Sequence, residues 1–393
     1  MQSTADIAPP LKRRGARAGA LGAEARGPHA EARGPHAEAR GPHVEARSHD
    51  AEARGTHAEA RGLGAEARGA GSARAFGAAC AGVLVGAAAL AGLAPLWLSV
   101  ATVFLFAGPH NYAELRYFIT RLPARLGRSR GFFALAAAGV LGLTAAYAAL
   151  SLAPGAAGWG EDGLRLSLAL WNSAAVAWVV ALFVVRRRQT PRREWAWALP
   201  AGCALVGVCW LAPQGFALAL VYLHPLVALW FLDRQLARRR RGWRRAYRAC
   251  LALLPLALGA LWCWAASSPP LFEDGAVAER VVGHAGAGIL TGVSPRLLVS
   301  THVFLETLHY GVWLVGVPLS AGTGLLPWRA AGVPLVAHRR GWPRLIRALL
   351  AAGAFAVVLL WLCFLADYAT TRDVYFTLAT AHVLAEAPFL LRQ

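Results

Sequence analysis

From Phe76 onward the chain alternates long apolar runs with short polar ones. The apolar runs cover approximately 76–94, 96–118, 132–152, 165–185, 195–212, 215–232, 249–266, 297–318, 345–366 and 373–391. A helix rises about 1.5 Å per residue, so runs of about 20 residues match a hydrocarbon core of about 30 Å. In lipid a backbone must satisfy its own hydrogen bonds, which favours helices. The pattern therefore predicts an all-α, polytopic integral membrane helix bundle of about ten transmembrane helices. The first two runs are divided only by Pro95.

The polar runs have a regularity of their own. Arg121, Arg125, Arg128 and Arg130 follow the second apolar run, and Arg186–Arg188, Arg192 and Arg193 follow the fourth. Arg238–Arg241, Arg244, Arg245 and Arg248 follow the sixth, and Arg329, Arg339, Arg340 and Arg344 follow the eighth. The intervening runs are acidic, mixed or short, as at Glu161–Asp162 and Glu273–Asp274. Basic residues collect on the cytoplasmic side of membranes. The alternation predicts both termini in the cytoplasm and a multi-pass protein of the cell membrane, the inner membrane in a bacterium. Trp159, Trp195 and Trp328 suit the interface. The outer segment 267–296 is longer and Gly-rich, and it reads as a plain connection with His284 outside any site.

Residues 1–75 differ. Ala-Glu-Ala-Arg, once Val-Glu-Ala-Arg, recurs seven times at a period of seven from Ala23. Gly or Gly-Pro interrupts the repeats and no apolar a/d seam exists, so a disordered tail is expected rather than a coiled coil. The domains expected are thus this tail, 1–75, and a ten-span unit, 76–393. Met1 is the only methionine. A start downstream of the repeat is expected, and peptides from residues 20–70 in a mass spectrum would contradict it.

Composition narrows the class. Only 16% of the 393 residues are charged, against about 25% in a soluble chain. A net charge of +19 is in the range of nucleic-acid binders, but the tail's 12 basic and 9 acidic residues nearly cancel. The rest of the excess sits in short loops as a topology signal, and nucleic-acid binding is excluded as a reading. Six cysteines form no C-x-x-C and read as small buried hydrophobes.

The chemistry lies inside the apolar runs. His110 and Glu114, His302 and Glu306, and His382 and Glu386 all have the spacing i, i+4, which puts each pair on one helix face. Random placement after residue 100 would give about 0.17 such pairs, so three is not an accident of composition. His309 extends the second stripe, and His224 precedes Pro225 in another run, where the helix is expected to weaken. Ionisable groups within a bilayer face the protein interior and a partner. Imidazole and carboxylate together suit a divalent metal, iron more than zinc or manganese.

The expected metal set is His110, Glu114, His224, His302, Glu306, His309, His382 and Glu386. Glu306 and Glu386 are expected as ligands or bridges, and Glu114 as a ligand or proton carrier. These three carboxylates are the catalytic candidates. By position along their helices the eight residues spread over about 20 Å. Either the helix boundaries shift or there are two sites, with His110–Glu114 outlying. Glu114 has the alternative of pairing with Arg116 or Arg121.

His110-Asn111-x-x-Glu114 resembles a metal-binding helix of ZIP-type zinc transporters over that single run. The resemblance implies metal ligation by His110 and Glu114. The companion motif of that family, the His-x-x-His-His runs of membrane desaturases and His-Glu-x-x-His are all absent.

The reading is a membrane-embedded, metal-dependent, di-iron-type oxidoreductase acting on a lipid or isoprenoid. Membrane lipids, a hydrophobic small-molecule substrate and an electron-donor protein would be its partners. The alternatives are a divalent-metal or proton-coupled transporter, and a structural membrane protein with a buried polar network or a haem between two histidines.

Overall fold

The structure is a computed structural model. It describes residues 72–123, 126–157, 160–190, 196–271, 275–321, 333–338 and 341–392. The heptad repeat lies outside the described residues, as do Trp159, Trp195 and Trp328. Residues 72–75, which the sequence grouped with the tail, are the first turn of a helix.

The described residues are helical and contain no strand. The chain runs through α1 (Ser72–Leu93), α2 (Pro95–Arg121), α3 (Arg130–Ala157), α4 (Glu161–Gln189), α5 (Ala198–Leu211) and α6 (Pro213–Arg239). It continues through α7 (Arg241–Ala252), α8 (Leu254–Ser267), α9 (Ala276–His284), α10 (Pro295–Gly311), α11 (Val317–Ala321), α12 (Pro334–Ala337), α13 (Pro343–Ala366) and α14 (Tyr368–Leu390). Proline sets the punctuation. Pro95, Pro213, Pro295 and Pro343 open α2, α6, α10 and α13, where a missing N–H costs nothing. Asp367 caps α14 by accepting from the Thr370 N–H at 3.1 Å, and the Thr370 side chain together with that N–H holds its carboxyl below the usual carboxylate range.

Within the described residues each of the ten apolar runs falls mainly on helix. Among the described residues seven helices are long and apolar enough to cross a membrane: α1, α3, α4, α6, α7 with α8, α10 with α11, and α13. The other three runs fall short for identifiable reasons. α5 has only 14 residues. α2 and α14 have 27 and 23 residues, but they carry His110, Asn111, Glu114 and Arg116, and Arg372, Asp373, His382 and Glu386. The residues of chemical interest are what lower their hydropathy.

The core gathers on α10, the most enclosed of the long helices. Val303, Phe304, Leu308 and Trp313 pack with Phe231 and Leu232 of α6 and Phe118 of α2. α13 shows the opposite face of the pattern. It buries Ile346, Leu350 and Phe364 and leaves Phe355, Leu362 and Leu365 bare.

Two local devices fix the helix packing. Asp233 accepts from Nε and Nη2 of both Arg244 and Arg248 at 2.9–3.3 Å, which ties α6 to α7. Against α3, the indole of Trp178 on α4 donates to the Leu135 carbonyl at 2.9 Å. A Cβ at Gly139 would fall inside that indole ring. The ring is buried and held by its hydrogen bond, so it cannot step aside. Gly139→Ala is expected to cost about 1–3 kcal/mol by overpacking. A thermal-unfolding midpoint of the detergent-solubilised variant equal to wild type would contradict that.

Candidate metal centre

Four helices each deliver one histidine to a common point. His110 comes from α2, His224 from α6, His309 from α10 and His382 from α14. One nitrogen of each of His110, His309 and His382 lies within 4.8 Å of the others. His224 Nε2 is 3.2 Å from His382 Nε2, and its ring centroid is 4.5 Å from that of His309. His110 and Glu114 are each 1% exposed and His309 is 2% exposed. At that burial a polar group without a partner is costly.

The hydrogen bonds around the rings assign their lone pairs. His110 Nδ1 donates to the Phe106 carbonyl at 2.9 Å, which leaves Nε2 as a bare acceptor facing the cluster. Pro109, one residue earlier, removes an N–H from that turn. His224 Nδ1 stands 3.3 Å from Glu386 Oε2. A carboxylate only accepts, so Nδ1 carries the proton and Nε2 the lone pair. His382 Nε2–H then donates to His224, and His382 Nδ1 is left without a partner. Both ring nitrogens of His309 are without partners.

The carboxylates divide into two groups. Glu386 orients His224 with one oxygen and leaves Oε1 unpartnered. Both oxygens of Glu114 are buried and unpartnered, and the carboxylate is close enough to interact with Glu386. The pairing of Glu114 with Arg121 does not form. In its chemically consistent amide orientation, Gln235 takes the Arg121 Nη2 donor at 2.9 Å and the Arg239 Nε donor at 3.3 Å. Glu306 belongs to the second group, where its Oε1 accepts from the Tyr310 hydroxyl at 2.6 Å and its Oε2 is 3.9 Å from His302 Nδ1.

The outlying pair is therefore His302–Glu306 rather than His110–Glu114. His302 lies seven residues from His309 on one straight helix, a separation of about 10 Å along the axis, so a single centre cannot take both. His302 faces His284 instead, with ring centroids 5.1 Å apart. His110 reaches the centre from the middle of α2, which runs on to Arg121, past the end of its apolar run.

Three features escaped the sequence. α6 continues through Pro225 without a break. A π-helical turn, Val312–Gly316, follows His309 directly, a feature frequent at functional sites. Gly316 admits it, since a Cβ there would stand 2.6 Å from Leu232 of α6. The third is a cavity of about 610 Å³ beside the cluster, lined by His110, His224, His309 and His382 and by α3, α4, α6, α9 and α14. His284, set aside as a loop residue, stacks on Phe376 at 4.0 Å and lines that cavity.

Among family models, curated proteins and solved structures, none matches the chain.

Proposed function

We propose that the chain is a membrane-embedded metalloprotein in which His110, His224, His309 and His382 hold iron, and that it acts as an oxidoreductase on a hydrophobic substrate in the adjoining cavity. The observation that carries the reading is the convergence of four imidazoles from four helices, three of them with nitrogens within 4.8 Å of one another and without partners, beside a partly open cavity. Imidazole suits iron, copper and zinc. A cation would also remove the cost of the unpaired oxygens of Glu114 and Glu386. Glu386 fixes the ring of His224, in the manner of carboxylate–histidine–metal triads. Glu114 holds or passes a proton beside the centre. Iron bound there would supply the electron chemistry, with an electron-donor protein as the source of reducing equivalents.

The membrane reading takes all ten apolar helices as spans, with both ends of the chain in the cytoplasm. The bare apolar faces of α13 and α8 fit lipid, with Phe355, Leu362, Leu256 and Trp262 exposed. Arg121 and Arg239 meet at Gln235, which supports a common side for the ends of α2 and α6.

The test is metal analysis of untagged, detergent-purified protein, paired with metal uptake into vesicles. One or two tightly held iron ions per chain, with no uptake, is the expected result. Metal that exchanges freely and crosses the vesicle membrane would replace the enzyme with a transporter.

A further inference from the structure

The cavity has a charged end as well as a histidine end. Arg372 of α14 lines it and is only 2% exposed. Its Nη1 donates to the Arg280 carbonyl at 3.1 Å, and its Cζ lies 4.6 Å from the centre of the Phe376 ring. Nε and Nη2 make no hydrogen bond of good geometry, and the Tyr368 hydroxyl beside the guanidinium donates to the Val100 carbonyl at 3.4 Å. A guanidinium stays charged under all ordinary conditions, so burying one with an open edge is costly. The neighbouring acids do not close that edge. Asp373 pairs with the Arg280 side chain. Glu306 attracts the guanidinium by its charge but makes no hydrogen bond to it, its Oε1 accepting from Tyr310, and Glu279 lies exposed at the cavity rim.

The unfilled edge has a shape. Nε–H and Nη2–H point the same way, side by side, and together match the two oxygens of one carboxylate. From that edge α14 lines the cavity down to His382, ten residues on, a run of about 15 Å. Between the two ends one wall is apolar, with Leu168 of α4 and Ala217, Leu220 and Val221 of α6, and the facing wall carries Tyr310, Tyr375 and Thr380. Its volume of about 610 Å³ is that of a small-molecule site.

We propose that the cavity binds a single-chain amphiphile by a carboxylate head set side-on against Arg372, its apolar chain lying along α14 so that an inner carbon rests at the four histidines. The substrate class is a long-chain carboxylic acid. The assignment of that end as the reacting end rests on the metal reading above. Recognition of the head by Arg372 does not depend on it.

The experiment measures binding of radiolabelled hexadecanoate and of hexadecanol to the full chain in zwitterionic nanodiscs, with metal content determined on the same samples. Hexadecanoate is expected to bind at least about tenfold more tightly than the alcohol, the scale of charge-assisted hydrogen bonds. Arg372→Gln is expected to erase that preference, and Arg372→Lys to restore part of it. Leu220→Trp, which narrows the apolar wall, is expected to weaken both ligands equally. Equal binding of acid and alcohol by the wild type would overturn the proposal, whether or not the Gln variant folds. So would a preference that survives Arg372→Gln. A carboxylate preference in protein without metal would keep the ligand and remove the metal reading. Metal without the preference would do the reverse.

Discussion

His309→Ala is expected to lower the affinity for the bound metal by at least about 100-fold, whereas His302→Ala leaves the metal content within a factor of two. The outer partners of metal ligands alone are worth about 10–100-fold, and a ligand exceeds them. The contrast follows from position. The two histidines share a helix and a face, but only His309 meets His110, His224 and His382. His302 touches Tyr222 and His284 at the other end of the cavity. Both variants remove a buried imidazole of the same size, so general damage to the fold would affect them alike. Metal per chain, measured on monodisperse fractions, checks the prediction. Equal loss in both variants would mean that the two histidines serve a single network.

Glu386→Gln is expected to reduce metal affinity by about 10–100-fold without changing the ligand count. The Gln side chain keeps the shape, but its amide presents a donor as readily as an acceptor. The His224 ring then loses the charge that fixes its tautomer at 3.3 Å. Glu114→Gln is expected to act differently, because Glu114 orients no ring and holds two bare oxygens beside the cluster. It should slow turnover more than it weakens binding. Acid should release the metal from the wild type. Each imidazole must be neutral to ligate, so affinity falls as the pH drops and protons compete. A titration of metal retention against pH on wild type and Glu386→Gln checks both statements, and the variant should release its metal at the higher pH.

The helices were legible in the sequence because apolar runs and Pro95, Pro213, Pro295 and Pro343 leave little choice of boundary. The metal candidates were legible because histidine and glutamate at i, i+4 are rare inside such runs. Their grouping was not. Depth along a helix is fixed only once its ends and its neighbours' offsets are known, and α2 extends beyond its apolar run to Arg121. The π-turn after His309 leaves no composition signal, because it depends on how Gly316 meets Leu232 across α6. Arg372 did leave a signal. Arg372, Tyr375, Ala379, His382 and Glu386 fall three and four apart, so one stripe of α14 carries them. An arginine beginning a stripe that ends in a histidine and a glutamate marks a face turned inward.

The measurement closest to the central claim is X-ray absorption at the edge of the metal that copurifies with the untagged chain. Three or four imidazole nitrogens at about 2.0–2.2 Å, lost in a His110/His309/His382 triple alanine variant, is the result the four-helix centre predicts. A folded wild type without stoichiometric metal, or a coordination shell that survives the triple substitution, would contradict it.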